Sequence, residues 1–233
     1  MRLAIMQPYF FPYLGYFQLI NTVNEFIIYD DVNFINRGWI NRNNISINGS
    51  ASLITVPLIG ASQNKLINEI TIMGDDSWKI KLDKTIQLAY KKSPYFNNVY
   101  PLIRECIFCN ETHIHTYNVL IIKKICEYLN VKTNFLYSSE LINNDKMLKA
   151  QYRILDICIK QNATHYINPI GGVDLYEKAM FSNKNIQLSF IKMNAIEYKQ
   201  NNKNFVPSLS IIDVLMFNAI EEIQDLLNQY ELL

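Results

Sequence analysis

The sequence predicts an α/β fold, a mainly parallel sheet flanked by helices, and three observations carry that expectation. Short apolar runs alternate with helical segments along the chain, as strands alternate with crossover helices. One of these runs, Glu25 to Asp30, is apolar on consecutive residues, the mark of a strand covered on both faces. The chain has 233 residues, a net charge of +1, 49% hydrophobic and 18% charged residues, which suits a single globular domain, 1–233, with one sizeable core.

Residues 2 to 7 read as the first strand, and Gly15 to Thr22 as a short helix with Phe17, Leu19 and Ile20 spaced to pack on it. Glu25 to Asp30 follows as the second strand. Parallel strands joined this way form a βαβ unit with its ligand crevice at the carboxyl ends of the strands, so a Rossmann-like arrangement is expected. Ile40 to Ile47 and Ser52 to Pro57, separated by Asn48-Gly49, predict an inserted β-hairpin. Ile67 to Met73 reads as another strand. Trp78 to Lys91, Tyr95 to Cys109 and Thr112 to Leu129 have helical periodicity, broken at Ser93-Pro94, which makes a helical segment of about 77–130. The α/β alternation then resumes with strand 133 to 138, helix Met147 to Gln161, strand His165 to Asn168, a helix over Leu175 to Phe181 and a final strand Ile186 to Lys192. The tail Ser208 to Leu233 reads as amphipathic helix capped by Ser208 or Ser210.

Composition excludes several classes. A near-neutral charge balance argues against DNA binding, although Arg37, Arg42 and Lys65 form a local basic patch able to receive phosphates. No apolar run approaches the roughly 20 residues that span a bilayer, and the N-terminus has no secretory signal pattern. A cytoplasmic protein without membrane insertion is expected. Cys106, Cys109, Cys126 and Cys158 do not resemble a disulfide framework, so reduced thiols are expected. Cys106-x-x-Cys109-x-x-x-His113-x-His115 has the composition of a zinc site, but on a continuous helix only three of these residues share a face, and no metal ligand is assigned. GxSxG, Walker, GxGxxG and HExxH motifs are absent from the sequence.

The most informative segment is Gln7-Pro8-Tyr9-Phe10-Phe11-Pro12-Tyr13-Leu14-Gly15-Tyr16, a strand-to-helix turn of aromatics where polar residues are usual. Gln7, Tyr9, Phe10, Tyr13, Gly15 and Tyr16 are candidate ligand contacts, the rings as stacking surfaces and Gly15 as a place of close backbone approach to an anion; a hydrophobic plug over the sheet end is the alternative. Asp30 and Asp31, at a strand end, are candidate bases, metal ligands or sugar-binding carboxylates, or else turn caps. Trp39, Asn41, Arg42 and Asn43 suit diphosphate and sugar contacts, or form a solvated strand face. His165 is the candidate general base, because imidazole titrates near neutrality, and Asn168, Gly171 and Gly172 form a second glycine turn after it. Tyr198, Gln200 and Asp213 complete the candidate site.

Gln7 to Phe17, Phe26 to Val32, Trp39 to Asn43, Thr55-Val56-Pro57, Ser93 to Phe96, Tyr166 to Gly172 and Phe205 to Asp213 together resemble the WbqC-like protein family over nearly the whole chain. That resemblance implies bacterial surface-polysaccharide or O-antigen biosynthesis, with transfer of glycine or a similar acyl group to the amine of a nucleotide-linked amino sugar. His165, Asp30 or Asp31 would then deprotonate the amine. The acyl donor stays open among an adenylate, a thioester and an aminoacyl-tRNA, as does the oligomeric state, a homo-oligomer included. Tyr13-Leu-Gly-Tyr16 is also similar to the His-x-Gly-His segment of nucleotidylyltransferase-type proteins, with both histidines replaced. This second resemblance implies a nucleotidylyltransferase-like enzyme using magnesium-bound ATP or another triphosphate. A non-catalytic sugar-nucleotide-binding subunit is the third reading.

Overall fold

The computed structural model describes residues 1–141, 147–201 and 204–233. In chain order the elements are β1 (Arg2–Met6), α1 (Leu14–Thr22), β2 (Glu25–Ile28), β3 (Arg42–Ile47), β4 (Ser50–Thr55), β5 (Leu58–Ile59), β6 (Thr71–Ile72), α2 (Ser77–Tyr90), α3 (Phe96–Ile107), α4 (Ile114–Tyr128), β7 (Asn134–Tyr137), α5 (Ala150–Lys160), β8 (His165–Pro169), α6 (Lys178–Ser182), β9 (Gln187–Met193), α7 (Ile211–Phe217), α8 (Ile220–Leu226) and β10 (Tyr230–Leu232). The main sheet has the order β10-β9-β8-β1-β2-β7. Its strands run parallel except for β10, which pairs antiparallel with β9.

Side chains alternate across a strand, and both faces of this sheet are covered. Leu3, Ile5, Ile27, Tyr166, Leu188 and Phe190 face one layer, where Ile154, Leu155, Cys158 and Phe181 from α5 and α6 pack against them. Ala4, Phe26, Ile28, Ile167 and Ile191 face the other, with α1, the helices α2 to α4 and the final pair α7 and α8. Three helices end in the same way: Asn130, Asn162 and Asn185 take φ of 59°, 54° and 58°. The amide after each reaches back into the last turn, Val131 to Cys126, Ala163 to Cys158 and Ile186 to Phe181. Asparagine tolerates the left-handed conformation that this stop requires, so part of the chain's asparagine excess serves as helix termination. Asn48 and Gly49, at φ of 51° and 78°, close the expected hairpin of β3 and β4.

Three expectations are corrected. Ile67 to Met73 is not one strand: a single 3-10 turn over Ile67–Glu69 precedes the two-residue β6, which pairs with β5 and bridges to His113 through Thr71. The tail is not one helix, because α7 stops at Asn218, whose side chain turns back to the Val214 carbonyl at 2.8 Å, and α8 follows separately. The last strand is therefore β10 rather than β9. Among the described residues no helix is long and apolar enough to cross a membrane.

Candidate functional site

The chain leaves β1 for β2 and β7 on one side and later returns to β8 and β9 on the other, so the strand order reverses at β1. Such a reversal parts the connections above the carboxyl ends and leaves a crevice. Here it is a hollow of about 410 Å³. Gln7 enters from the end of β1, Tyr29 from the end of β2, Asn168, Gly171 and Gly172 from β8 and the 3-10 turn Ile170–Leu175, and Gln151 from the first turn of α5. Tyr176 closes it, its hydroxyl 3.3 Å from that of Tyr166, which donates to the Asn168 Oδ1 at 3.0 Å. Burial raises the pKa of both Tyr29 and Tyr176, so these phenols remain hydrogen-bond donors at neutral pH. Three side-chain amides and two phenols on an otherwise apolar wall suit a polyhydroxylated, ring-shaped ligand.

Asp30 and Asp31 lie next to this crevice but face away from solvent, 1% and 6% exposed. β2 has ended at Ile28, so the two carboxylates do not diverge as they would in a strand; both converge on Ser138 after β7, at 3.0 and 2.5 Å. Asp30 also accepts from the Ser139 amide and hydroxyl at 3.0 and 2.6 Å. Asp31 pairs with Arg153 at 2.5 Å, both side chains being buried, and the Arg153 guanidinium lies 5.1 Å from the Tyr29 ring centre. These acids lock β2, β7 and α5 together, and the lock fixes a wall of the crevice. Arg153, Ser138 and Ser139 carry no local sequence signal; only the fold brings them to Asp30 and Asp31.

The aromatic turn divides. Phe10 and Phe11 are fully buried and Tyr16 is 2% exposed, so Phe10 and Tyr16 are core residues here rather than open stacking surfaces. A buried turn must still satisfy its carbonyls. Asn43 Nδ2 donates to Phe10 and Phe11 at 3.1 and 2.7 Å, Asn118 to Pro8 at 3.0 Å, Ser210 to Phe11 at 2.8 Å and the Tyr16 hydroxyl to Gln7 at 2.8 Å. Asn43 thus holds the turn rather than facing a ligand. Gly15 is also corrected: a Cβ there would lie 2.5 Å from the Tyr13 ring, so the glycine makes room for that ring. Tyr9 is half-buried against Tyr16, ring centres 5.6 Å apart.

The remaining candidates occupy other places. Tyr13 and Tyr198 line a separate apolar cavity of about 460 Å³ with Phe205 and Leu209. Gln200 braces the Val206 backbone through two hydrogen bonds of 2.9 Å. Asp213 is fully buried and accepts from the Tyr90 hydroxyl at 3.0 Å; burial pushes its carboxyl up to about 6. Trp39 is exposed, its carbonyl taking the Phe10 amide at 3.0 Å. Asn41 and Arg42 line a third hollow on the hairpin. Sequence reasoning gathered these residues around one ligand; the structure places Tyr13 and Tyr198 in one hollow and Asn41 and Arg42 in another, neither sharing a lining residue with the crevice, and leaves Trp39, Gln200 and Asp213 out of all three.

His165 is at the wrong end of the sheet for a base in the crevice. It begins β8, in register with Arg2 and Gln187, at the amino-terminal edge, and burial, Arg2 and the chain terminus all lower its pKa. The histidine on the carboxyl-end rim is His115, 6.0 Å from Tyr137 by ring centres and within electrostatic reach of Asp30, with a buried Nδ1 that has no partner. Its signal in the sequence was the Cys106 to His115 cluster. Among the described residues no three His, Cys, Asp or Glu side chains gather as a metal site.

A relative described as "Uncharacterized protein Rv1507c", from Mycobacterium tuberculosis, is 29% identical over 230 residues, 97% of each chain. No solved structure matches. The family model of the WbqC-like protein family matches residues 7–225, from the crevice glutamine Gln7 into α8. The chain belongs to the WbqC-like protein family.

Proposed function

We propose that this protein is a bacterial surface-polysaccharide biosynthesis enzyme that transfers glycine or a similar acyl group to the amine of a nucleotide-linked amino sugar, on a Rossmann-like frame, with the sugar in the crevice at β1 and β8. The observation that carries this reading is the hollow of about 410 Å³ at the reversal of strand order, lined by the Gln7 amide and the Tyr29 and Tyr176 phenols, with the Gln151 amide tied to Glu177 and the Asn168 amide to Tyr166 and Pro169 so that both are held in its wall. Gly171 borders the hollow at a place where a Cβ would meet nothing within 4 Å.

In the reaction the sugar amine attacks the acyl carbonyl, forming the amide bond as the donor's leaving group departs. The amine must be unprotonated to attack. None of the described lining residues titrates near neutrality, so the proton passes to water or to the departing donor group, while the protein orients amine and carbonyl. A nucleotidyl-transfer reading would need both phenols of Tyr13-Leu-Gly-Tyr16 at the phosphates, and Tyr16 is buried with its hydroxyl on the Gln7 carbonyl.

Incubation of the full chain with a dTDP-linked 4-amino sugar and, in turn, glycyl-adenylate, glycyl-thioester and glycyl-tRNA, followed by mass spectrometry, tests this. The expected result is one sugar nucleotide heavier by the acyl group. Binding of the sugar nucleotide with no acylated product from any donor would favour a non-catalytic binding subunit and overturn the proposal.

A further inference from the structure

The hollow on the hairpin is chemically unlike the other two. It encloses about 430 Å³ between Phe34, Asn36, Arg37, Asn41, Arg42, Thr55, Leu58 and Ala61. Its lining contains two guanidinium groups and no carboxylate, in a chain whose net charge is only +1. Among the described residues neither Arg37 nor Arg42 forms a salt bridge.

Both arginines attach to a single turn. Gly38 donates to the Ile35 carbonyl at 3.2 Å, closing residues 35–38, and the Gly38 carbonyl accepts from Arg42 Nε at 3.1 Å. Arg42 is thus oriented through Nε, leaving its two terminal nitrogens for a ligand. Arg37 stands in the same turn at φ of 62°. That conformation disfavours a long side chain, and Asn36 and Gly38, either of which adopts it more cheaply, are its immediate neighbours. The floor is rigid: Arg42 faces Thr55 across the hairpin, and Asn41 exchanges two hydrogen bonds with Val56, 2.7 and 2.9 Å.

The Arg42 fork, oriented through its Nε, and the exposed Arg37 guanidinium from the same turn stand without a salt bridge among the described residues beside amide and hydroxyl groups, a combination that suits the oxygens of phosphate. We propose that this hollow binds the phosphate or diphosphate of a small substrate, with Arg37 and Arg42 as its charge partners. Only the source of that phosphate rests on the acyl-transfer reading, in which both the sugar nucleotide and an activated acyl donor carry one.

Calorimetric titration of the full chain with inorganic pyrophosphate tests the site without requiring turnover. Arg42→Gln and Arg37→Asn are each expected to weaken binding on the order of tenfold, with retained thermal stability, since Asn suits the left-handed backbone at 37. Affinity should fall as salt is raised. Displacement of pyrophosphate by dTDP assigns the hollow to the sugar nucleotide, and displacement by coenzyme A assigns it to a thioester donor. Absence of pyrophosphate binding, or binding that both substitutions leave unchanged, overturns the site. Displacement by AMP assigns it to an adenylate or aminoacyl-tRNA donor, and binding that none of dTDP, coenzyme A and AMP displaces overturns its role for either substrate.

Discussion

Gly172 lies so close to Asn168 that a Cβ placed on it would come 2.1 Å from the Asn168 Nδ2, whereas a Cβ on the adjoining Gly171 would meet nothing within 4 Å. Two neighbouring glycines therefore do different things. Gly172 lets the Asn168 amide lie in the crevice wall, and Gly171 lines the crevice with room for a side chain. Gly172→Ala should cost about 1–3 kcal/mol in urea unfolding and impair sugar-nucleotide binding, because the Asn168 side chain must move. Gly171→Ala should stay within about 0.5 kcal/mol of the parent while still weakening the ligand. Equal stability losses in the two variants would refute the distinction.

The aromatic turn depends on a partner remote in sequence. Asn43→Ala leaves the Phe10 carbonyl without its 3.1 Å donor and removes one of the two donors on the Phe11 carbonyl, in a region without solvent. A loss of about 1–3 kcal/mol is expected by chemical denaturation. Asn43→Asp should be worse, since it sets a carboxylate against two carbonyls. A neutral effect of both would mean that the turn is not held by this side chain.

Arg153 and Asp31 form a buried pair, with side-chain exposures of 7% and 3%. Removing one partner strands the other's charge, so Arg153→Met should cost about 3–5 kcal/mol. The double variant Arg153→Met, Asp31→Asn should be more stable than Arg153→Met alone, which a double-mutant cycle reads directly. Tyr29, against which the guanidinium lies, should also gain freedom, seen as weaker ligand binding in the crevice even at temperatures where the double variant is folded.

Asp213 sets a pH dependence. Burial raises its carboxyl from 3.8 to about 6 in the folded chain. A raised acid favours the folded state while it is protonated, so its stabilisation is complete below about pH 3.8 and is lost as pH rises through about 6, a change of up to about 3 kcal/mol. Asp213→Asn keeps an acceptor for the Tyr90 hydroxyl without the titration. The stability of Asp213→Asn relative to the parent should therefore increase between pH 4 and pH 7 in paired unfolding curves; a flat difference would contradict the assignment.

The elements that form from local pattern were legible in the sequence. Phe26 to Ile28 is fully buried as its unbroken apolar run requires, and Asn48-Gly49 makes the hairpin turn. What could not be read depends on pairing across the fold. β5 and β6 are two residues each and form through pairing with one another and, for β6, with His113. Tyr230–Leu232 has no strand pattern of its own and takes its form from the exposed edge of β9. At the site, Gln7, Asn168, Gly171 and Gly172 meet as the βαβ argument expects. Phe10 and Tyr16 do not join them, because carbonyl partners such as Ser210, 199 residues from Phe11, make a buried aromatic turn affordable. His165 was placed by residue type alone, and its position at the start of β8 rather than its end puts it on the opposite edge.

The central claim is that the crevice between the ends of β1 and β8 holds the amino sugar. A crystal of the full chain soaked with a dTDP-linked 4-amino sugar tests it most directly. The account predicts sugar density within hydrogen-bond distance of Gln7, Asn168 and Tyr176. Sugar density in the Tyr13 and Tyr198 cavity or elsewhere, with this crevice empty, would contradict it.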